Sequence, residues 1–188
     1  MNVLDNIKSP EELLKFMDKI VYGFVGKNGK TYVDPFSNEW SNDWYNECII
    51  QTGEEVINSL IGTCWDQVEL ERLWFEKNNY NFKTIFEWYE VGKPLNISTH
   101  TYLIYEKDNK WYWFEHAFET YRGIHEFNSE EDAINFVKEK HSEHELKNNS
   151  VFKEAYKNTL TLYEYGKPAP HLGVDDFYDF VTSKQYTK

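Results

Sequence analysis

The sequence predicts an α+β fold, with helices segregated from an antiparallel sheet, on three observations. From Thr99 to Phe127 apolar and aromatic residues recur at the two-residue period of strands, over Thr101 to Tyr105, Trp111 to Phe118 and Gly123 to Phe127. The first two join at Lys107-Asp108-Asn109-Lys110, so the run is a meander. Before it, Gly62-Thr63-Cys64-Trp65 opens a helix over Trp65 to Phe75. Helix-start signals also stand near both ends, at Ser9-Pro10-Glu11-Glu12 and Ser129-Glu130-Glu131-Asp132. Helices, then strands, then helices is the order of an α+β chain rather than of β-α-β units. The 188 residues suffice for one domain with a buried core.

After Ser9 caps the first helix, Leu13, Leu14, Phe16, Met17 and Ile20 supply its apolar face. Tyr22-Gly23-Phe24-Val25 and Lys30-Thr31-Tyr32-Val33 flank Gly26-Lys27-Asn28-Gly29, a hairpin turning on its Asn-Gly pair. Pro35 to Trp44 reads as an irregular, aromatic-rich loop. Glu54 to Leu60 is a short helix ahead of a glycine turn at Gly62, and the next helix turns Val68, Leu73 and Trp74 to the core. Phe82 to Tyr89 fits either a strand or a helix. Beyond the meander, the Ser129 helix carries Ala133, Phe136 and Val137, and a polar run from His141 to Ser150 separates it from a strand at Thr159 to Tyr165. Gly166-Lys167-Pro168-Ala169-Pro170 breaks that strand, and Val174 to Val181 is helical.

Acidic residues number 32 against 20 Lys and Arg, a net charge of -12 that argues against sequence-independent binding to nucleic-acid backbones. Aromatic residues make up 18% of the chain, so its low mean hydropathy reflects a charged surface rather than disorder. Cys48 and Cys64 form neither a metal-ligand spacing nor a disulfide framework, which points to a reducing compartment. The N-terminus lacks a basic region followed by an apolar core, and no apolar run approaches bilayer length. The expectation is a cytoplasmic protein without membrane or nucleic-acid partners.

A cysteine at the mouth of a helix has its thiolate favoured by the positive helix end and can act as a nucleophile near neutral pH. Downstream, His100 heads a strand and Glu115 lies on the next, so nucleophile, base and orienting acid occur in that order. Alternation places Trp111, Trp113, Glu115 and Ala117 on one strand face and Tyr112, Phe114, His116 and Phe118 on the other. Unless a bulge intervenes, Glu115 and His116 therefore cannot serve one site together. Glu115 is the choice, because a histidine base needs an acceptor that fixes its tautomer.

These residues resemble the transglutaminase-like branch of the papain-fold cysteine enzymes. There a Gly-x-Cys-Trp turn opens the central helix, a His heads the next strand, and an acid follows a tryptophan by four residues on the neighbouring one. The counterparts are Gly62-Thr63-Cys64-Trp65, His100, and Trp111 with Glu115; Cys64 and His100 are 36 residues apart (100 minus 64), the short separation of that branch. The resemblance covers about 54–127, which it makes the core of a single domain over 1–188, with 129–188 as a C-terminal extension packed on it. It implies a papain-like core, Cys64 as nucleophile, His100 as general base and acid, and Glu115 as orienting acid where the family usually has Asp.

The expected chemistry is acyl transfer on a peptide or amide bond through a thioester, resolved by water in a protease or amidase and by an amine in a transglutaminase, without a cofactor. The Cys64 backbone N–H is a natural oxyanion donor, with Trp44, Trp40 or Gln67 as side-chain candidates for the second. No metal is expected: His141 and His144, beside Glu143 and Glu145, lack a third ligand and read as a solvated face. Glu39, Asp34 and Asp43 lack calcium-loop spacing. The alternative function is a non-catalytic interaction protein that keeps the fold and offers an acidic surface to a basic partner.

Overall fold

The computed structural model describes residues 3–91, 96–148 and 160–186, so Asn149, Ser150 and Thr159, which belong to the expected polar run and last strand, lie outside the described residues. The fold is α+β. Helix α1 (Pro10–Met17) starts where Ser9 Oγ accepts the Glu12 N–H at 3.3 Å, and it buries Leu13 and Met17. The hairpin is short: β1 (Phe24–Val25) pairs antiparallel with β2 (Thr31–Tyr32) around Gly29, whose φ of 75° suits glycine.

The stretch expected to be a loop is largely helix. In α2 (Asn38–Glu47), Ser37 Oγ accepts the Trp40 N–H at 3.1 Å. Trp40 and Trp44, one turn apart, stack at 5.5 Å and meet the Phe24 ring edge-on at 4.8 and 5.3 Å. This aromatic seam fixes a segment whose composition alone does not favour a helix. Helix α3 (Gly53–Ser59), with a Thr52/Glu55 capping box, precedes α4 (Cys64–Lys77).

Five antiparallel strands form the main sheet: β3 (Asn81–Val91), β4 (Asn96–Lys107), β5 (Lys110–Glu115), β6 (Gly123–Phe127) and β7 (Leu160–Tyr165), in the order β6-β5-β4-β3-β7. The ambiguous Phe82–Tyr89 segment is thus a strand, held between β4 and β7. Strand β5 stops at Glu115, short of the expected Phe118, because the Glu115 carboxylate accepts the Phe118 N–H at 2.7 Å and the chain enters a 3-10 turn at Glu119–Tyr121. Helix α5 (Glu130–Asn148) continues through the run expected to interrupt it, since His141 is buried against the sheet. Helix α6 is Val174–Val181.

The sheet has two differently covered faces. Leu103, Tyr105 and Phe114 pack with Leu70, Trp74 and Phe75 of α4. On the reverse, Ile85, Tyr102, Ile104 and Trp113 pack with Ala133, Ile134 and Val137 of α5. A third cluster gathers Phe24, Cys48, Trp65, Phe86 and Phe177 around the start of α4. Each fully buried side chain of this kind contributes about 1.5–3 kcal/mol of transfer free energy, which keeps α4 fixed against the strands. Among the described residues, no helix is long and apolar enough to cross a membrane.

Candidate active site

The loop before Cys64 is pinned from both sides. Val21 donates its N–H to Leu60 O at 2.9 Å and accepts from Gly62 N at 3.1 Å. The left-handed residue of this turn is Leu60 (φ 52°), not Gly62; glycine at 62 suits a close approach, since a Cβ there would stand 3.0 Å from Asp66 Cβ. Asp66 ties the turn together, accepting the Thr63 N–H at 2.9 Å, the Thr63 hydroxyl at 3.0 Å and the Gln51 N–H at 2.8 Å. Burial pushes its carboxyl up to about 6, against the pull of those hydrogen bonds. Cys64 is the first residue of α4, so its sulfur lies in the positive field of the helix end.

His100 projects from β4 on the face opposite α4, with Glu87 of β3 directly beside it. Its Nε2 meets Glu115 Oε2 at 2.8 Å, and Glu115 Oε1 holds the Phe118 N–H, so both oxygens of this buried carboxylate are used. Pairing between β4 and β5 ends at Leu103–Phe114, which leaves His100 beyond the end of β5. There the Cys64 thiol, from one side of the sheet, and the imidazole, from the other, line one cavity. With Nε2 on Glu115, Nδ1 is the nitrogen left for sulfur. Burial opposes charge on the His100 ring, but the Glu115 carboxylate, its hydrogen bond and the neighbouring Cys64 thiol outweigh it and raise the ring well above the usual imidazole range. Burial likewise pushes Glu115 up, and His100 more than reverses this, leaving the carboxyl below its usual range.

The Glu115/His116 alternation is as the strand period requires. His116 points to α4, where Nδ1 donates to Gln67 Oε1 at 2.7 Å, and Gln67 Nε2 donates to Gly62 O at 2.8 Å. Burial first, and Arg122 second, bring His116 down to about 4, so the ring is neutral at pH 7. Gln67 thus uses both ends of its amide to brace the loop before Cys64, and it does not line the cavity beside Cys64. Phe118, assigned by alternation to the face of His116, instead lies 5.7 Å from the His100 ring, because the strand has ended. A cavity of about 180 Å³ beside Cys64 and His100 is lined by Tyr22, Phe118, His141 and His144 among others. Neither Trp40 nor Trp44 lines it; both belong to the aromatic seam, where Trp44 meets Trp65 at 5.2 Å.

Two site residues escaped the sequence reading. Tyr22 lines the cavity beside Cys64, although 41% of the residue is exposed; burial of its hydroxyl end, then the thiol, raises the phenol well above its usual range. Val21's backbone bonds across to the loop before Cys64 place it there, a long-range contact without a local signal. His141, expected on a solvated face, is buried and bonded through Nδ1 to Glu87, itself fully buried. Glu71 of α4 is buried as well, and its carboxyl is pushed well up by burial and by Glu115. Among the described residues no group of His, Cys, Asp and Glu is disposed to hold a metal ion. Compared with protein-family models, curated proteins and solved structures, the chain gives no match.

Proposed function

We propose that this chain is a cysteine-dependent acyl-transfer enzyme built on a transglutaminase-like, papain-like core and acting on a peptide or protein amide. The observation that carries the reading is a single imidazole, His100, bonded to Glu115 through one nitrogen and sharing a cavity with a helix-opening thiol. In this mechanism Cys64 Sγ attacks the amide carbonyl. The Cys64 N–H and the Tyr22 hydroxyl face the developing oxyanion, in the place expected for Trp44, Trp40 or Gln67. The C–N bond breaks as His100 passes its Nδ1 proton to the leaving amine, and an acyl-thioester remains. Glu115 keeps the ring oriented and favours its charged form, the role of the third member of such triads.

The test uses an activated ester, p-nitrophenyl acetate, and separately casein with a fluorescent primary amine. Wild-type protein is expected to carry an acetyl adduct on Cys64 that turns over, and Cys64→Ala to carry none. Amine incorporated into casein marks a transferase; carboxylic acid released without incorporation marks a hydrolase. Folded wild-type protein that never forms an adduct at Cys64 would overturn the reading in favour of an acidic interaction protein.

A further inference from the structure

We propose that His141, held by Glu87, is a second acid–base group of this site and takes the proton from the water or amine that resolves the acyl-thioester. The inference rests on the acyl-transfer reading and extends it to the second half of the reaction.

Three observations carry it. His141 lines the same cavity as Cys64 and His100, and its ring centroid is 4.4 Å from that of His100, edge to face. Its Nδ1 is bonded to Glu87, which sits directly across the strand pair from His100, so both His–Glu pairs stand on one face of the sheet. A carboxylate on Nδ1 fixes the proton there and leaves Nε2 as the basic nitrogen, the arrangement needed for a general base. Phe118 lies against both rings, 4.7 Å from His141 and 5.7 Å from His100, and shields the pair. As packing alone the arrangement is costly, because a fully buried Glu87 with a buried histidine stabilises a core no better than two apolar side chains of equal volume.

The division of labour follows from what each ring must do. After acylation His100 has given its proton to the amine, and Glu115 draws another from solvent. Water then attacks the thioester carbonyl, its O–C bond forming as its proton passes to His141 Nε2. The C–S bond breaks toward a protonated His100, which receives the thiolate, and His141 releases its proton to solvent. With an amine as nucleophile, the same transfer gives an amide.

Single-turnover measurements with p-nitrophenyl acetate separate the two halves. His141→Ala is expected to keep the acylation burst and to slow deacylation about a hundredfold, so that acetyl-Cys64 accumulates in the mass spectrum; added imidazole should restore deacylation alone. His141→Gln, which retains a donor toward Glu87, carries the test if the alanine variant melts near the assay temperature. Deacylation at the wild-type rate in a folded variant overturns the proposal, as does an equal fall in both steps, which marks a structural role. A wild-type protein that never acylates removes the underlying reading as well, and that outcome is distinct from either.

Discussion

Two buried thiols share one core cluster, yet their electrostatic surroundings differ. Cys48 ends helix α2, its N–H bonded to Trp44 O, at the negative end of the helix dipole. Burial, then Asp66 and Cys64, push its thiol far above the usual range. Cys64 opens a helix, at the positive end, and shares a cavity with an imidazole and a phenol. Burial by itself silences a cysteine. What distinguishes Cys64 is the end of the helix it occupies and the His100–Glu115 pair that the end of β5 leaves open to it.

The strongest test of that contrast is alkylation by iodoacetamide at neutral pH. Cys64 is expected to react at least about a hundredfold faster than Cys48, with the advantage abolished in His100→Gln and reduced about tenfold in Glu115→Gln. Mass spectrometry of the two cysteine peptides over time reads both rates. Equal rates in the wild type would break the comparison, and an unaltered rate in His100→Gln would sharpen it to the helix field alone. The carboxylate effect has a sign in pH: His100 is raised, so its contribution to stability is complete below the ordinary imidazole value near 6.5 and is lost as pH rises through the higher folded value.

The parts of this arrangement visible in the sequence are those set by local chemistry. Ser9-Pro10, Thr63-Cys64 and the two-residue period around His100 and Glu115 each act within one turn or one strand, and these segments form the elements they indicate. Trp40 and Trp44 did carry a helical spacing, but the Phe24 ring that gives it meaning comes from a distant hairpin. His141 appeared polar because its partner, Glu87, lies in the one strand whose type was undecided. Tyr22 faces Cys64 only because Val21 bridges to Ile61. Each omission is a contact between segments that no local pattern links.

A smaller effect separates nucleophile activation from oxyanion binding in the proposed reaction. Tyr22→Phe removes a hydroxyl while keeping the ring that stacks near Trp40 at 6.3 Å. Release of p-nitrophenol from p-nitrophenyl acetate is expected to slow about ten- to a hundredfold, while iodoacetamide alkylation, which develops no oxyanion, changes less than about threefold. Equal losses in both assays would assign Tyr22 to the thiol rather than to the carbonyl oxygen.

The smallest effect on reactivity belongs to His116, which faces away from Glu115 and braces Gln67. In His116→Gln, Cys64 alkylation is expected to stay near the wild-type rate, and the change should appear in stability with a definite sign. His116 is brought down to about 4 when folded, against an ordinary value near 6.5, so its contribution is present above 6.5 and is lost as pH falls through 4, where the unfolded chain takes up a proton sooner. That interval corresponds to about 3 kcal/mol. Asp66, raised to about 6, runs the opposite way, its contribution lost as pH rises through 6, but it is common to both proteins and cancels in their difference. At pH 7 the variant should be less stable than wild type by about 1 kcal/mol, the worth of a weakened buried hydrogen bond. By pH 4 it should be the more stable of the two. Urea melts at pH 4, 5.5 and 7 decide this; a difference independent of pH would mean that His116 is not held neutral by its burial against α4, and a fall in alkylation rate would place it in the service of Cys64 after all.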